Sequence, residues 1–118
     1  MANELTILTS FSFSKNGVAV SQSKSKTITV AGTKAIHNVQ TIGTSAETIN
    51  FVDVVPGFVM LINQDSTNYV QIALDVGITE NVAKLEAGQS MVWPVDQLPI
   101  YAKANAAPVD LQVVACDL

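Results

Sequence analysis

The chain has 118 residues, a mass of 12.5 kDa and a composition that is 48% hydrophobic and 14% charged, so it is one domain, or one domain with an arm, and not a disordered segment. A single cysteine, Cys116, excludes a disulfide scaffold, and the longest strictly apolar run, Phe58-Val59-Met60-Leu61-Ile62, is far short of the ~20 residues a membrane-spanning helix needs. The net charge is −4, from ten acids and six lysines with no arginine, which speaks against a nucleic-acid partner. Arginine is the usual bidentate reader of guanine, and an acidic surface repels a polyanion.

Val, Ile and Thr supply 35 of the 118 residues, and such β-branched side chains fit pleated, half-buried surfaces. Helical periodicity is nearly absent: 80–85 offers one possible turn, which Ala87-Gly88 stops. The pattern predicts an all-β chain. In the first strand, 4–13, Leu5, Ile7, Thr9, Phe11 and Phe13 share one face, opposite Thr6, Ser10 and Ser12. Lys15-Asn16-Gly17 is a tight turn, because Asn-Gly supplies the positive φ values a hairpin needs. The stretch 18–30 follows, with a Ser/Lys run too polar to be core on either face. Ala31-Gly32-Thr33 turns into a third strand, 35–42.

After a loop at Gly43-Thr44-Ser45, Ile49 and Phe51 share a face in 47–53, and Val55-Pro56-Gly57-Phe58 has the signature of a type II turn. Residues 58–63 are apolar on both faces and read as a central strand. Shorter strands are expected at 69–74, 82–85, 90–95 and 99–103, with Pro94 ending its strand or confining it to an edge. The last strand is 109–116. Eight to ten short antiparallel strands imply a single-domain β-sandwich or a jelly-roll-like fold. The expected core is Ile49, Phe51, Val59, Leu61, Val70, Ile72, Leu111 and Val113. The expected division is an N-terminal strand with a Ser/Lys-rich edge hairpin or arm over 1–34, then a sandwich body over 35–118. The first part carries +3 and the second −7.

Chemical motifs are missing. His37 is the only histidine and sits in a strand context, which leaves no zinc site of the His/Cys type. Gly43-Thr44-Ser45-Ala46-Glu47 lacks the second glycine of a nucleophile elbow. Gly32-Thr33-Lys34 ends like a phosphate loop without its upstream glycine. Asp53, Asp65, Asp75 and Asp96 fall in loops, where aspartates mostly bond their own backbone. Asn63–Asn68 offers oxygen ligands without the closing glutamate of a calcium loop. The expectation is a protein that is not an enzyme and uses no cofactor or metal. Cys116 is expected to be a packed, reduced thiol. The start, Met1-Ala2-Asn3-Glu4, lacks a basic leader region, which places synthesis and folding in a cytosol.

The remaining signals concern surfaces. Lys15, Lys24 and Lys26 form a basic run, and Met91, Trp93 and Tyr101 are large side chains in strands. These six are the candidate interface residues, because interfaces are enriched in aromatics and methionine. The low charge points to an oligomer or a subunit of an assembly. The lysines either line a solvated edge, a known defence against stray strand pairing, or rest on an acidic patch of a shell or sister subunit.

Several segments resemble a class of small virion proteins of tailed bacteriophages. These are Val39–Thr44, Val54–Phe58, Ile62–Ile72, Leu85–Gln89 and Ile100–Leu111. They repeat a Pro-Gly turn, an "N-x-D-x-T-N-Y/F-V" loop, an "L-x-x-G-E/Q" turn and a closing "Y-A-K-A" strand. The likeness spans about 75 residues, 39–113, and marks a framework of turns. It implies a capsid decoration, or cement, protein on the outside of the virion, made in the host bacterial cytoplasm. The partners it implies are the major capsid protein and further copies of the chain, with no direct nucleic-acid or membrane contact. The competing reading is a tail, baseplate or fibre-associated sandwich that binds a host receptor or carbohydrate, for which a groove lined by Trp93, Tyr69 or Tyr101 would speak.

Overall fold

The computed structural model describes residues 4–117, which form ten β-strands and, among the described residues, no helix. The chain divides into two compact units, 1–31 and 32–118.

The first unit is one long hairpin of β1 (Leu5–Lys15) and β2 (Val18–Ile28), paired in register along its whole length from Leu5↔Ile28 to Lys15↔Val18. Its two-residue turn has φ of 51° at Asn16 and 80° at Gly17. Positive φ at both central positions matches the right-handed twist of the flanking strands, as the Asn-Gly pair predicts. At the base, the Val30 amide donates to Glu4 Oε1 at 2.9 Å.

The body contains β3 (Ala35–Ile42), β4 (Glu47–Thr48), β5 (Phe58–Asn63), β6 (Val70–Ala73), β7 (Asn81–Leu85), β8 (Ser90–Pro94), β9 (Tyr101–Ala104) and β10 (Val109–Cys116). They make two four-stranded antiparallel sheets, ordered β3-β10-β5-β8 and β4-β9-β6-β7. The pairing is nested: β6 with β7, β5 with β8, β4 with β9, and β3 with β10. Strand direction alternates along the chain, so successive connections gather alternately at two opposite ends of the body.

Period-two alternation builds the core. In β10, Val109, Leu111, Val113 and Ala115 are buried, and in β5 Val59, Leu61 and Asn63 are. The opposite sheet contributes Val70, Ile72, Ala102 and Ala104, with Ile42, Leu85 and Ile100 beside them. All eight expected core residues are buried. At roughly 25 cal/mol per Å2 of apolar area, burial of this set is the dominant favourable contribution to folding of the body.

Three expectations need correction. Residues 47–53 do not form one strand: β4 stops at Thr48, and Phe51–Val54 makes a turn closed by a Val54 amide bond to the Phe51 carbonyl at 3.0 Å. Val55–Phe58 is not a type II turn: Gly57 lacks the positive φ that turn requires and extends the sheet pairing just before β5, donating to Cys116 and accepting from Val95, both at 2.9 Å. The expected strand at 82–85 is β7, which begins one residue earlier and leaves no helical turn at 80–85. Cys116 is half-buried and lies outside the core, since it alternates with the core-facing Ala115.

Candidate interface surfaces

In the hairpin, residues directly opposite share a face. One face carries Ser and Thr with Leu8 and Ala19. The other carries Leu5, Ile7, Thr9, Phe11 and Phe13 from β1 and Val18, Val20, Gln22, Lys24, Lys26 and Ile28 from β2. Lys15 lies on this second face at the tip, opposite Val18. Lys15 and Lys26 thus lie opposite the apolar Val18 and Ile7, whereas Lys24 lies opposite Thr9 and beside Gln22 on its own strand. Phe11 is 65% exposed, Val18 55% and Val20 53%. Sequence reading found the apolar row on β1 but not its continuation onto β2. That extension depends on the pairing register, which the Asn16-Gly17 turn fixes.

Met91 and Trp93 belong to β8, an edge strand of the first sheet that ends at Pro94. They pair with Leu61 and Val59, so their side chains turn inward and pack half-buried against the core. Tyr101 alternates with buried Ala102 and Ala104 and faces away from the core. Tyr69 lies beneath Lys84, whose Nζ is 4.4 Å from the ring centroid.

A surface missing from the six candidates is the outer face of the first sheet. Phe58, Met60 and Ile62 alternate with the core residues of β5. They pair with Pro94, Val92 and Ser90 on one side. On the other side Met60 pairs with Val114 and Phe58 with Cys116. Val39, opposite Gln112 at the β3 edge, is 56% exposed. The signal was the run apolar on both faces at 58–62. It marks a strand covered on both sides, and within the body only one side has a sheet against it.

Four of the five segments carrying the resemblance meet at one end of the body, whereas Val54–Phe58 lies at the opposite end, where Gly57 bonds Cys116 and Val95. Asn63 is fully buried, and its Nδ2 donates to the carbonyls of Asn68 and Leu85 at 2.9 Å and Glu86 at 3.2 Å. Its Oδ1 accepts from the Asp65 amide at 2.9 Å. Its backbone exchanges bonds with Gln89 and Gly88, the latter at φ 79°. Asp65 accepts from the amides of Thr67 and Asn68, and these bonds hold its carboxyl below the ordinary aspartate range. Asn105, directly after β9, bonds the Tyr69 backbone in both directions. These residues are turn-formers that lock three loops together.

Asp75 is the corresponding turn-former at the opposite end of the body. Its carboxylate accepts from the Thr79 hydroxyl and the Glu80 amide, and these bonds lower its pKa. Asp53 pairs with Lys34 at 3.3 Å. His37 is exposed and contacts the Gln112 amide. Gly43-Thr44-Ser45 is a loop whose Gly43 amide donates to Glu47. Among the described residues no three His, Cys, Asp or Glu side chains cluster to hold a metal ion. No helix there is long and apolar enough to cross a membrane. A shallow groove of about 300 Å3, lined by Asn38, Val39, Gln40, Asn50 and Val113, contains no aromatic ring. The Cys116 thiol is raised in pKa by partial burial and by the neighbouring Asp117 charge, which keeps it protonated and slow to react.

No family model matches the chain, and comparison with the curated proteins and with the solved structures finds no match.

Proposed function

We propose that the chain is a non-enzymatic structural virion protein of a tailed bacteriophage, a cement subunit on the outer surface of the capsid. It binds the major capsid protein and further copies of itself, touches neither nucleic acid nor membrane, and is made in the host bacterial cytoplasm. The nested order of the body supports a finer fold reading. A long hairpin of paired strands, 3 with 10 through 6 with 7, rolled into two sheets is the double Greek key of a jelly roll. Viral capsid and lectin domains are among the proteins built this way.

The observation that carries the proposal is the hairpin. An isolated two-stranded hairpin is at best marginally stable in water and needs further strands or a packing partner. This one has 11 residues in each strand and leaves Phe11 and Val20 more than half exposed. Such a device is suited to assembly. The receptor-binding alternative has less support, since Trp93 faces the core and Tyr101 faces away from it, so they line no common groove.

The test is co-sedimentation of purified protein with capsid shells that lack it, followed by thermal scanning of the shells. The expected result is saturable binding and a higher shell melting temperature. Protein that stays in the supernatant at low salt contradicts the reading.

A further inference from the structure

We infer that the apolar, lysine-bearing face of the hairpin of one copy packs across the outer face of the β3-β10-β5-β8 sheet of a second copy. This rests on the assembly reading above and names the partner surface.

Each surface is incomplete alone. The hairpin face offers Phe11, Phe13, Val18 and Val20, all exposed. The sheet face offers Phe58, Met60, Ile62, Val92 and Val114, side by side on three neighbouring strands. The hairpin side chains are exposed, whereas those of the sheet face are half-buried by their own neighbours. Contiguous apolar surface marks protein contacts, and two sheets stack face to face at about 10 Å with interdigitating side chains. A hairpin of two 11-residue strands is long enough to cross a sheet whose longest strands have 8 residues.

Charge selects the occupant. In the hairpin unit three lysines face one acid, Glu4, for a net of +2, whereas in the body unit nine acids outnumber three lysines, for a net of −6. Packing one hairpin on another would set Lys24 and Lys26 against their own copies. Packing it on a body brings a unit of net +2 onto one of net −6, with Asp110 of β10 on the face itself, and such opposite net charges steer encounter. The lysine stems lie over apolar surface while their ammonium groups reach the wetter rim.

The test uses two full-length variants. The first, Phe11→Asp with Phe13→Asp, disables the hairpin face and leaves the sheet face intact. The second, Met60→Lys, disables the sheet face and leaves the hairpin intact. Val39→Lys, at a 56% exposed position on the same face, replaces it if Met60→Lys fails to fold. Circular dichroism confirms folding, and sedimentation velocity reads the mass. The expected result is that wild type self-associates, each variant alone is monomeric, and an equimolar mixture forms a heterodimer. A monomeric wild type, variants that associate like wild type, or a mixture that stays monomeric overturns the inference. A hairpin that folds onto its own body gives the last of these outcomes. Shell co-sedimentation separates the two readings: wild-type protein that binds shells as isolated monomers removes this contact alone, and protein that self-associates without binding shells removes the cement function alone.

Discussion

Asn63 shows how one side chain can organise a whole end of the body. Its amide satisfies three carbonyls from two loops, and no described buried side-chain nitrogen or oxygen lacks a partner. Replacing it with alanine leaves those carbonyls without their donor, at a cost of roughly 1–3 kcal/mol. Asn63→Asp should cost more, because it places a carboxylate against carbonyl oxygens in a buried site. Urea denaturation of the two variants checks both values and their order. Asp65 and Asp75 make a pH-dependent contribution. Both have pKa values lowered by hydrogen bonds that only the folded chain supplies. Their stabilisation is therefore complete above the ordinary aspartate value of ~3.9 and is lost as pH falls through the lowered values. Melting curves of wild type should drop below about pH 4, and Asp65→Asn with Asp75→Asn should flatten that drop. A double variant with an unchanged acid slope would assign the loss to other carboxylates.

The strands show which parts of a sequence carry their own instructions. Strands β3, β5 and β10 begin and end where the sequence pattern predicts, because each is flanked by turn residues; β10 is marked by alternation with one apolar face and β5 by an apolar run on both faces. Leu61 and Ile72 are fully buried, one in each sheet, and truncating either to alanine should cost ~2–5 kcal/mol in chemical denaturation. A loss well below that range at both sites would mean the two sheets do not share this core. The segment after β4 was less legible. The apolar Ile49 and Phe51 suggest a strand continuing to 53, but the Asn50 side chain accepts from the Val52 amide at 2.8 Å and bends the chain there. Val52 takes φ of 59°, a conformation that β-branched residues rarely adopt and that no local propensity foretells. The Pro56 neighbour gives Gly57 the pattern of a turn residue, whereas its hydrogen bonds to Cys116 and Val95 come from segments distant in sequence. The outer face of the first sheet was half legible. Residues 58–62 announce burial on both sides, but only the pairing with β8 and β10 shows that Val92 and Val114 widen the patch.

At the scale of the molecule, a basic hairpin with an apolar face belongs to the same chain as an acidic two-sheet body with an apolar back. In the proposed assembly, repeated copies on a larger surface cover both features. Lys24 and Lys26 should then matter for attachment and little for folding, since both are exposed. Changing both to glutamate should lower occupancy on particles while leaving the melting temperature near wild type. Wild-type attachment should itself weaken as salt rises, because rim charges act through screened electrostatics. A double variant that decorates particles at wild-type occupancy in low and high salt would show that the lysines only guard a solvated edge. The proposed cement role is tested most directly by an image reconstruction of particles produced from the genome that encodes this chain. Density for the two-sheet body should stand on the outside of the shell, seated on the major capsid protein, with each hairpin reaching a neighbouring copy. A shell with no such density, or the same density found only on the tail or fibres, would contradict it.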